Sequence, residues 1–348
     1  MGDFFMKKDL VVSGVYIASL IGAGFASGGE IVHYFAVYGK WGIFGIIISS
    51  VLFGLMATAI LEISKQNKSY SFSEFLEDIF GNRLAKIINA VTVLFMMCVF
   101  TAMISGSGET VSEIIGCGRM SGVIVMLIII SLILMFDVRG LLAVNGVMGI
   151  LIVAGTLGVC TYLINFREVG VFRYYGDFLC SGTGYAGYNI LTAGTVLPAM
   201  TKYAENNKRI GVVSAAVIFV LLFVMWVIIS IYYGKIPLGE IPMLTICKRH
   251  GMVVSIIYSI VLFAAMFTTA LSNGFALMDS VKGRKGIKIA MLLVVSFYAS
   301  GLPFDFFVGK LYRYIGYVGF LLCFFILLKF SKKIKLVRKK TKNEENER

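Results

Sequence analysis

Charged side chains are scarce in this chain, at 15% of its residues, whereas a water-soluble domain carries about 25%. Hydrophobic residues make up 58%, and the mean hydropathy is +0.88. This balance excludes an ordinary soluble fold. The apolar residues come in long runs, and a run of about 20 lets an α-helix cross about 30 Å of hydrocarbon. The sequence therefore predicts an all-α membrane protein whose partner is the lipid bilayer.

Groups that hydrolytic chemistry requires are also few. The two histidines, His33 and His250, stand in no HExxH or Ser/His arrangement, and the six cysteines form no CxxC pair. The sequence shows no phosphate-binding loop, no ATPase domain and no repeated channel filter motif. We therefore expect no enzyme activity and no cofactor, with energy taken from a gradient or a partner chain. A solute sensor or channel-like protein on a transporter scaffold remains an alternative, and an intramembrane enzyme is a weaker one.

Ten apolar spans are predicted within a single domain, residues 1–348. Their limits are 9–37, 41–63, 84–115, 121–136, 141–165, 178–200, 210–233, 251–279, 287–302 and 307–329. Most of the 32 Lys and Arg residues fall on one side of the membrane if the N-terminus is cytoplasmic, and a basic tail covers 330–348. This distribution predicts a cell-membrane protein with both termini inside. It accounts for the net charge of +13 without a nucleic-acid partner.

Two spans share a glycine motif. The motif Gly22-Ala23-Gly24-Phe25-Ala26 lies in the first span, and Gly182-Thr183-Gly184-Tyr185-Ala186 lies in the sixth. Each is followed closely by another glycine, Gly28 and Gly187, so the motifs extend over Gly22–Gly28 and Gly182–Gly187. The spans then form two blocks of five, 9–165 and 178–329. Because five is an odd number, the second block has the opposite orientation in the membrane, and the two blocks form an inverted repeat. Glycine costs about 1 kcal/mol relative to alanine inside a helix, so the motifs favour breaks in helices 1 and 6. The alternative is close packing of helices through small residues.

Broken helices at mid-membrane expose backbone groups that hold a polar ligand. The predicted solute site comprises Ala23, Gly24, Phe25, Ala26, Ser181, Gly182, Thr183, Gly184 and Tyr185. The rings of Phe25 and Tyr185 are expected to close over the ligand.

At these motifs the chain resembles the amino acid–polyamine–cation transporter superfamily. The stretch "GVYIASLIGAGFASGGEI" is similar to the YkvI-like amino-acid permeases of bacteria, and the resemblance covers all ten spans. It implies a five-plus-five leucine-transporter fold. It also implies secondary active transport of a small, amino acid-like solute by alternating access, as a symport with Na⁺ or H⁺.

The resemblance further implies a Na⁺ site between the first and eighth spans. Its ligands would be the carbonyls of Ala18, Ile21 and Ala265 and the hydroxyls of Thr268 and Thr269. The fifth span carries no lysine, which argues against the mechanism of those relatives in which a lysine replaces the ion. The alternative is that these threonines bond carbonyls of their own helix.

Glu30 is an ionisable residue within the first span, where a charge is costly and therefore a candidate for function. A carboxylate at this position suits a role as a proton carrier, as a gate residue or as a ligand for a substrate amine. The alternative is an acid that stabilises a helix N-terminus. His33, three residues on, shares its face and is a possible partner. Phe95 and Phe100 are candidates for an aromatic gate, although core packing explains them equally well.

Overall fold

A computed structural model describes residues 2–135, 139–164, 177–280 and 283–346. The helices are α1 (Gly2–Leu20), α2 (Ala23–Ser27), α3 (Gly29–Tyr34), α4 (Gly42–Asn67), α5 (Phe72–Ile115), α6 (Arg119–Met135), α7 (Arg139–Ile164), α8 (Phe178–Ala193), α9 (Leu197–Met200), α10 (Asn207–Tyr232), α11 (Pro242–Arg249), α12 (Met252–Ser280), α13 (Lys285–Ala299) and α14 (Tyr312–Asn346). A 3₁₀ segment, Ala36–Trp41, and a π segment, Phe306–Leu311, complete the order. No β-strand occurs within these ranges.

Several helix starts follow from local sequence. Ser71 and Glu74 form a reciprocal capping box at α5, and the side chains of Asp177 and Asn206 accept backbone N–H groups at α8 and α10. Pro242 occupies the first turn of α11, where its missing N–H leaves no bond unmade. The polar residues between the apolar runs thus set where these helices begin.

Among the described residues, five helices are long and apolar enough to cross a membrane: Ala36–Asn67, Phe72–Ile115, Asn207–Tyr232, Met252–Met278 and Phe306–Lys332. This confirms a helical protein of membrane character. The count of ten spans and the boundaries of the two repeats stay predictions.

The first span is interrupted, as predicted. α1 ends at Leu20, and the Gly22 N–H donates to the Leu20 carbonyl, 3.1 Å away, in place of the Ala18 carbonyl four residues back. A second joint lies at Gly28, whose φ of 81° is the left-handed conformation that favours glycine. The span is therefore three helical pieces joined at residues 21–22 and 28.

The predicted break at Gly182–Gly187 is wrong, because α8 runs without interruption from Phe178 to Ala193. The turn comes later, at residues 194–196, before the short helix α9. The glycines serve close helix packing instead. A methyl carbon on Gly182 would lie 2.6 Å from the Gly45 carbonyl oxygen of α4, and one on Gly187 would lie 2.3 Å from the Gly316 oxygen of α14.

α8 occupies the middle of the bundle. It packs along α4 and α14 and also contacts α1 and α3. α12 packs on α5 and α7 and contacts α2, so the interrupted first span lies between α8 and α12. This arrangement brings the joints of the first span to the centre of the protein.

The end of the bundle that carries the N-terminus is held by polar contacts from α1. The buried Asp9 carboxylate accepts the N–H groups of Glu205 and Asn206 at 3.0 and 3.2 Å and lies 3.5 Å from Arg209. Lys8 pairs with Glu205 at 3.1 Å. These contacts fasten α1 to the turn that precedes α10.

We expect Gly319→Ala to destabilise the protein by about 1–3 kcal/mol through overpacking of α14 on α8. A methyl carbon on Gly319 would lie 2.0 Å from the Gly187 carbonyl oxygen. The matched control is Gly158→Ala in α7, where nothing lies within 4 Å and alanine favours the helix by up to about 1 kcal/mol. Thermal unfolding of both variants in detergent measures the difference, and equal melting temperatures would contradict this packing.

Candidate functional site

The segment between the two joints of the first span is buried and braced by side chains. The Ser27 hydroxyl donates to the Gly24 carbonyl at 2.8 Å and accepts the Gly29 N–H at 3.1 Å. The Tyr258 hydroxyl of α12 donates to the carbonyl of Ala26. Backbone groups that a continuous helix would have used are thus taken up by neighbouring polar groups.

Glu30 lies immediately beyond this segment, in the first turn of α3, with only 4% of its surface exposed. Its carboxylate folds back over Gly24, and Oε1 stands 2.0 Å from where a Cβ on Gly24 would lie. The other oxygen, Oε2, is buried and accepts no hydrogen bond of ordinary geometry among the described residues, although the hydroxyls of Tyr185 and Tyr188 face the carboxylate closely enough to interact with it. No Lys, Arg or His within the described ranges forms an ion pair with it.

Four tyrosines, here called the tyrosine cluster, surround this carboxylate: Tyr34, Tyr185, Tyr188 and Tyr312. The Tyr34, Tyr185 and Tyr188 ring centroids are 5.4 to 5.6 Å apart, and the centroid of Tyr312 is 5.1 Å from that of Tyr188.

Three hydroxyls of the tyrosine cluster, on Tyr34, Tyr188 and Tyr312, are buried and form no hydrogen bond of ordinary geometry in the described parts of the chain, and that of Tyr188 faces Glu30. Phe95 closes one side, with its ring edge-on to Tyr188 and Tyr312 at 6.0 and 5.3 Å. A carboxylate, phenol oxygens and aromatic faces together suit a small positively charged group.

The structure brings together only part of the predicted solute site. Ala23, Gly24, Phe25 and Ala26 are buried at the break, and Tyr185 belongs to the tyrosine cluster. The remaining predicted residues, Ser181, Gly182, Thr183 and Gly184, directly precede Tyr185 on α8, and a Cβ on Gly184 would stand 4.0 Å from the Tyr34 ring. Ser181 donates to the Tyr34 carbonyl at 2.8 Å, and the Thr183 hydroxyl bonds carbonyls of its own helix.

Sequence reasoning missed Tyr34, Tyr188 and Tyr312. The sequence contains a signal for Tyr34 and Tyr188. Tyr34 follows Glu30 by four residues, and Tyr188 follows Tyr185 by three, so each pair shares one face of its helix. Tyr312 is brought in by tertiary packing alone, since nothing local connects it to Glu30.

Of the two threonines predicted to bind the cation, one lies at the break in the first span and the other bonds its own helix. The Thr269 hydroxyl lies at the break, 3.6 Å from where a Cβ on Gly22 would stand. The Thr268 hydroxyl donates to the Ala265 carbonyl of its own helix at 3.1 Å. Within the described ranges no three His, Cys, Asp or Glu residues are grouped so as to hold a metal ion.

His33 pairs with an acid other than Glu30. Its Nε2 lies 2.6 Å from Asp305 Oδ1, at the start of the π segment. A cavity of about 580 Å³ lies beside this pair and is also lined by Val32, Glu240 and Lys310. The hydrogen bond with His33 lowers the pKa of the Asp305 carboxyl, although partial burial opposes the shift. The pair fastens α3 to the segment that leads into α14.

No family model matches the chain. An uncharacterized membrane protein of Bacillus subtilis (strain 168), YkvI, is 28% identical over 326 residues, which cover 89% of this chain and 94% of that protein. A second B. subtilis protein, the uncharacterized YyaD, is 24% identical over 335 residues, covering 93% of this chain and 96% of that protein.

Two kinds of solved transporter share the fold. A manganese transporter of Eremococcus coleocola superposes with a TM-score of 0.63, and a Na⁺-coupled sialic acid symporter in a substrate-bound, outward-open state superposes with 0.59. Each is 12% identical and covers 90% of this chain and 76% of its own. The chain therefore has the same leucine-transporter-like architecture as these proteins.

We expect Asp305→Asn to lower the free energy of unfolding at neutral pH by about 0.2–1 kcal/mol, the amount typical of an exposed pair, and to lower the melting temperature accordingly. Because the folded pKa of Asp305 is depressed, the contribution is present above the ordinary value of 3.8 and is lost as pH falls through the lowered value. The difference from wild type should thus vanish in acid. Thermal unfolding between pH 7 and pH 3 checks it, with exposed Glu77→Gln as control; a constant difference would contradict the pairing.

Proposed function

We propose that this protein is a secondary active transporter that moves a small solute, with amino acids the expected class, by alternating access. The observation that carries the proposal is an interrupted first span beside a buried carboxylate that has no cationic partner among the described residues. The structural neighbours support it, since they are named as manganese and sialic acid transporters, the latter Na⁺-coupled.

Glu30 provides the physical reason for a bound cation or proton. A buried ionised carboxylate without a partner costs several kcal/mol, so a bound cationic group or a proton has to neutralise it. The free energy of the helix bundle around Glu30 therefore depends on whether a cationic group or a proton occupies the site. In this proposal Ala23, Gly24, Phe25 and Ala26 contact the polar head of the solute, and Phe25 and Tyr185 close over it.

The wider arrangement belongs to the same proposal. It comprises ten spans, with repeats at 9–165 and 178–329, a basic tail at 330–348, and both termini on the cytoplasmic side of the cell membrane. The distribution of Lys and Arg supports this orientation. Membership of the amino acid–polyamine–cation superfamily is likewise an inference from the first-span motif.

Coupling is proposed to use Na⁺ at the eighth-span threonines. The set is the carbonyls of Ala18, Ile21 and Ala265 with the hydroxyls of Thr268 and Thr269. The released Ala18 carbonyl and the position of Thr269 beside Gly22 support it. Proton coupling through Glu30 is the second candidate, favoured by the lack of any cationic partner among the described residues.

Uptake into proteoliposomes from a pool of labelled amino acids tests both the function and the coupling. With Na⁺ and pH gradients imposed separately, we expect the Na⁺ gradient to drive uptake. Thr269→Ala should weaken its Na⁺ dependence by about tenfold or more, as expected for loss of a ligand worth about 1.4 kcal/mol. Thr268→Ala should lose less, because its hydroxyl already bonds the Ala265 carbonyl of its own helix. The matched control is Thr161→Ala in α7, whose hydroxyl bonds the Leu157 carbonyl of its own helix, and its Na⁺ dependence should equal that of wild type.

Other outcomes of this uptake experiment separate the alternatives. Uptake that is independent of Na⁺, is driven by the pH gradient and is lost in Glu30→Gln would show that coupling uses protons and not Na⁺. Absence of uptake under both gradients, with folded protein in the membrane, would contradict the transporter proposal.

Gly24→Ala and Gly22→Ala form a matched pair at the break. A Cβ on Gly24 overlaps the Glu30 carboxylate at 2.0 Å, whereas a Cβ on Gly22 meets its nearest neighbour at 3.6 Å. We expect Gly24→Ala to displace Glu30 and reduce uptake by about tenfold or more, the scale of 1–3 kcal/mol of overpacking. Gly22→Ala should retain most uptake. Equal activity of the two variants, measured as initial rates at matched protein levels, counts against a role for Glu30.

A further inference from the structure

Two acids are buried in the described residues, and the protein treats them differently. Asp9 accepts two backbone N–H groups and lies near a guanidinium. Glu30, exposed by only 4%, keeps one buried oxygen without a partner. Both acids are buried and both lie on the first span, so burial alone does not explain why Asp9 has such partners and Glu30 does not. The surroundings of Glu30 therefore point to a positively charged group that the described residues do not supply.

The unpartnered polar atoms around Glu30 distinguish between candidate occupants. They are Glu30 Oε2 and the hydroxyls of Tyr34, Tyr188 and Tyr312, of which the Tyr188 hydroxyl faces Glu30 itself. A proton on Oε2 contributes one donor. A primary ammonium contributes three N–H donors, and its charge also interacts with aromatic faces. The number of acceptors and the aromatic lining therefore favour an ammonium over a lone proton.

The same surroundings offer little to a carboxylate. Among the described residues no Lys or Arg is buried with the tyrosine cluster, and α2 is too short, at five residues, to provide a helix N-terminus for an anion. The guanidinium of Arg313 acts on Tyr34 from an exposed position and donates to the His33 carbonyl at 3.4 Å. The site is therefore selective for the positive end of a ligand.

We propose that Glu30 and the tyrosine cluster bind the ammonium group of a small organic amine, and that the ligand needs no carboxylate. This inference rests on the proposed function, because it names the solute class of that same site. The Glu30 carboxylate and the tyrosine hydroxyls accept the N–H groups, and the cluster rings cover the charge. Amino acids qualify as ligands through their amino group, and their amides and simple amines qualify equally.

Binding to purified full-length protein in detergent tests the inference without transport. The probes share one skeleton: leucinamide carries only the ammonium, leucine carries both charges, and 4-methylpentanoate carries only the carboxylate. Ethylammonium is the minimal probe. Thermal shift and intrinsic tyrosine fluorescence report binding. We expect leucinamide to bind at least as tightly as leucine, ethylammonium to bind weakly, and 4-methylpentanoate not to bind.

Variants assign the ammonium to named residues. Glu30→Gln should weaken leucinamide binding by more than about thirtyfold, as for truncation of a buried charge pair. Tyr188→Phe should weaken it by about threefold to tenfold through loss of one acceptor. The matched control is Tyr16→Phe, a fully buried tyrosine on α1 whose hydroxyl donates to the Phe53 carbonyl at 3.1 Å. Its affinity should equal that of wild type, and melting temperatures without ligand confirm that each variant folds.

Several results would overturn the inference. They are unchanged leucinamide affinity in Glu30→Gln, binding of leucine but not leucinamide, and failure of wild type to bind any amine. The proposed function fails separately. Amine binding that depends on Glu30, with no uptake under either gradient, would support this site while contradicting transport. Uptake of a solute without an amino group would support transport while overturning this site.

Discussion

In hydrocarbon an unpaired backbone group costs several kcal/mol, so a helix can be interrupted there only where other groups take over its hydrogen bonds. The first span meets this condition. Ser27 bridges the Gly24 carbonyl and the Gly29 N–H, and Tyr258 reaches across from α12 to the Ala26 carbonyl. These contacts hold α3 at a fixed angle and direct Glu30 back over Gly24. The position of the carboxylate, and with it the candidate site, depends on this bracing.

Glycine does two different things in the two motifs, and the sequence alone does not distinguish them. Gly28 takes a positive φ, and Gly24 leaves room for a carboxylate. Gly182 and Gly187 instead let the backbones of α4 and α14 approach α8. A shared glycine pattern therefore predicted a break correctly in one span and wrongly in the other. The deciding partners are glycines far away in the chain, which local patterns do not reveal.

The fold class was predictable because the length of an apolar run and its lack of charge can be assessed for each segment separately. The site was predictable only where its residues are close in sequence. Glu30 and Gly24 stand on one short segment, and Tyr185 came from a motif interpreted for another purpose. Tyr188 was accessible from helical spacing. Tyr312 required the packing of α14 on α8, which depends on contacts among glycines on both helices.

The joints at residues 21–22 and 28 also separate two sets of polar contacts. α1 is fastened at its start by Asp9 to the turn before α10, and α3 is fastened by His33 to Asp305. Since no continuous helix connects α1 to α3, release of one set does not require release of the other. A rigid span would move both ends together. In the proposed transport cycle, access to Glu30 from either end therefore follows from breaking one small group of polar contacts while the opposite group holds.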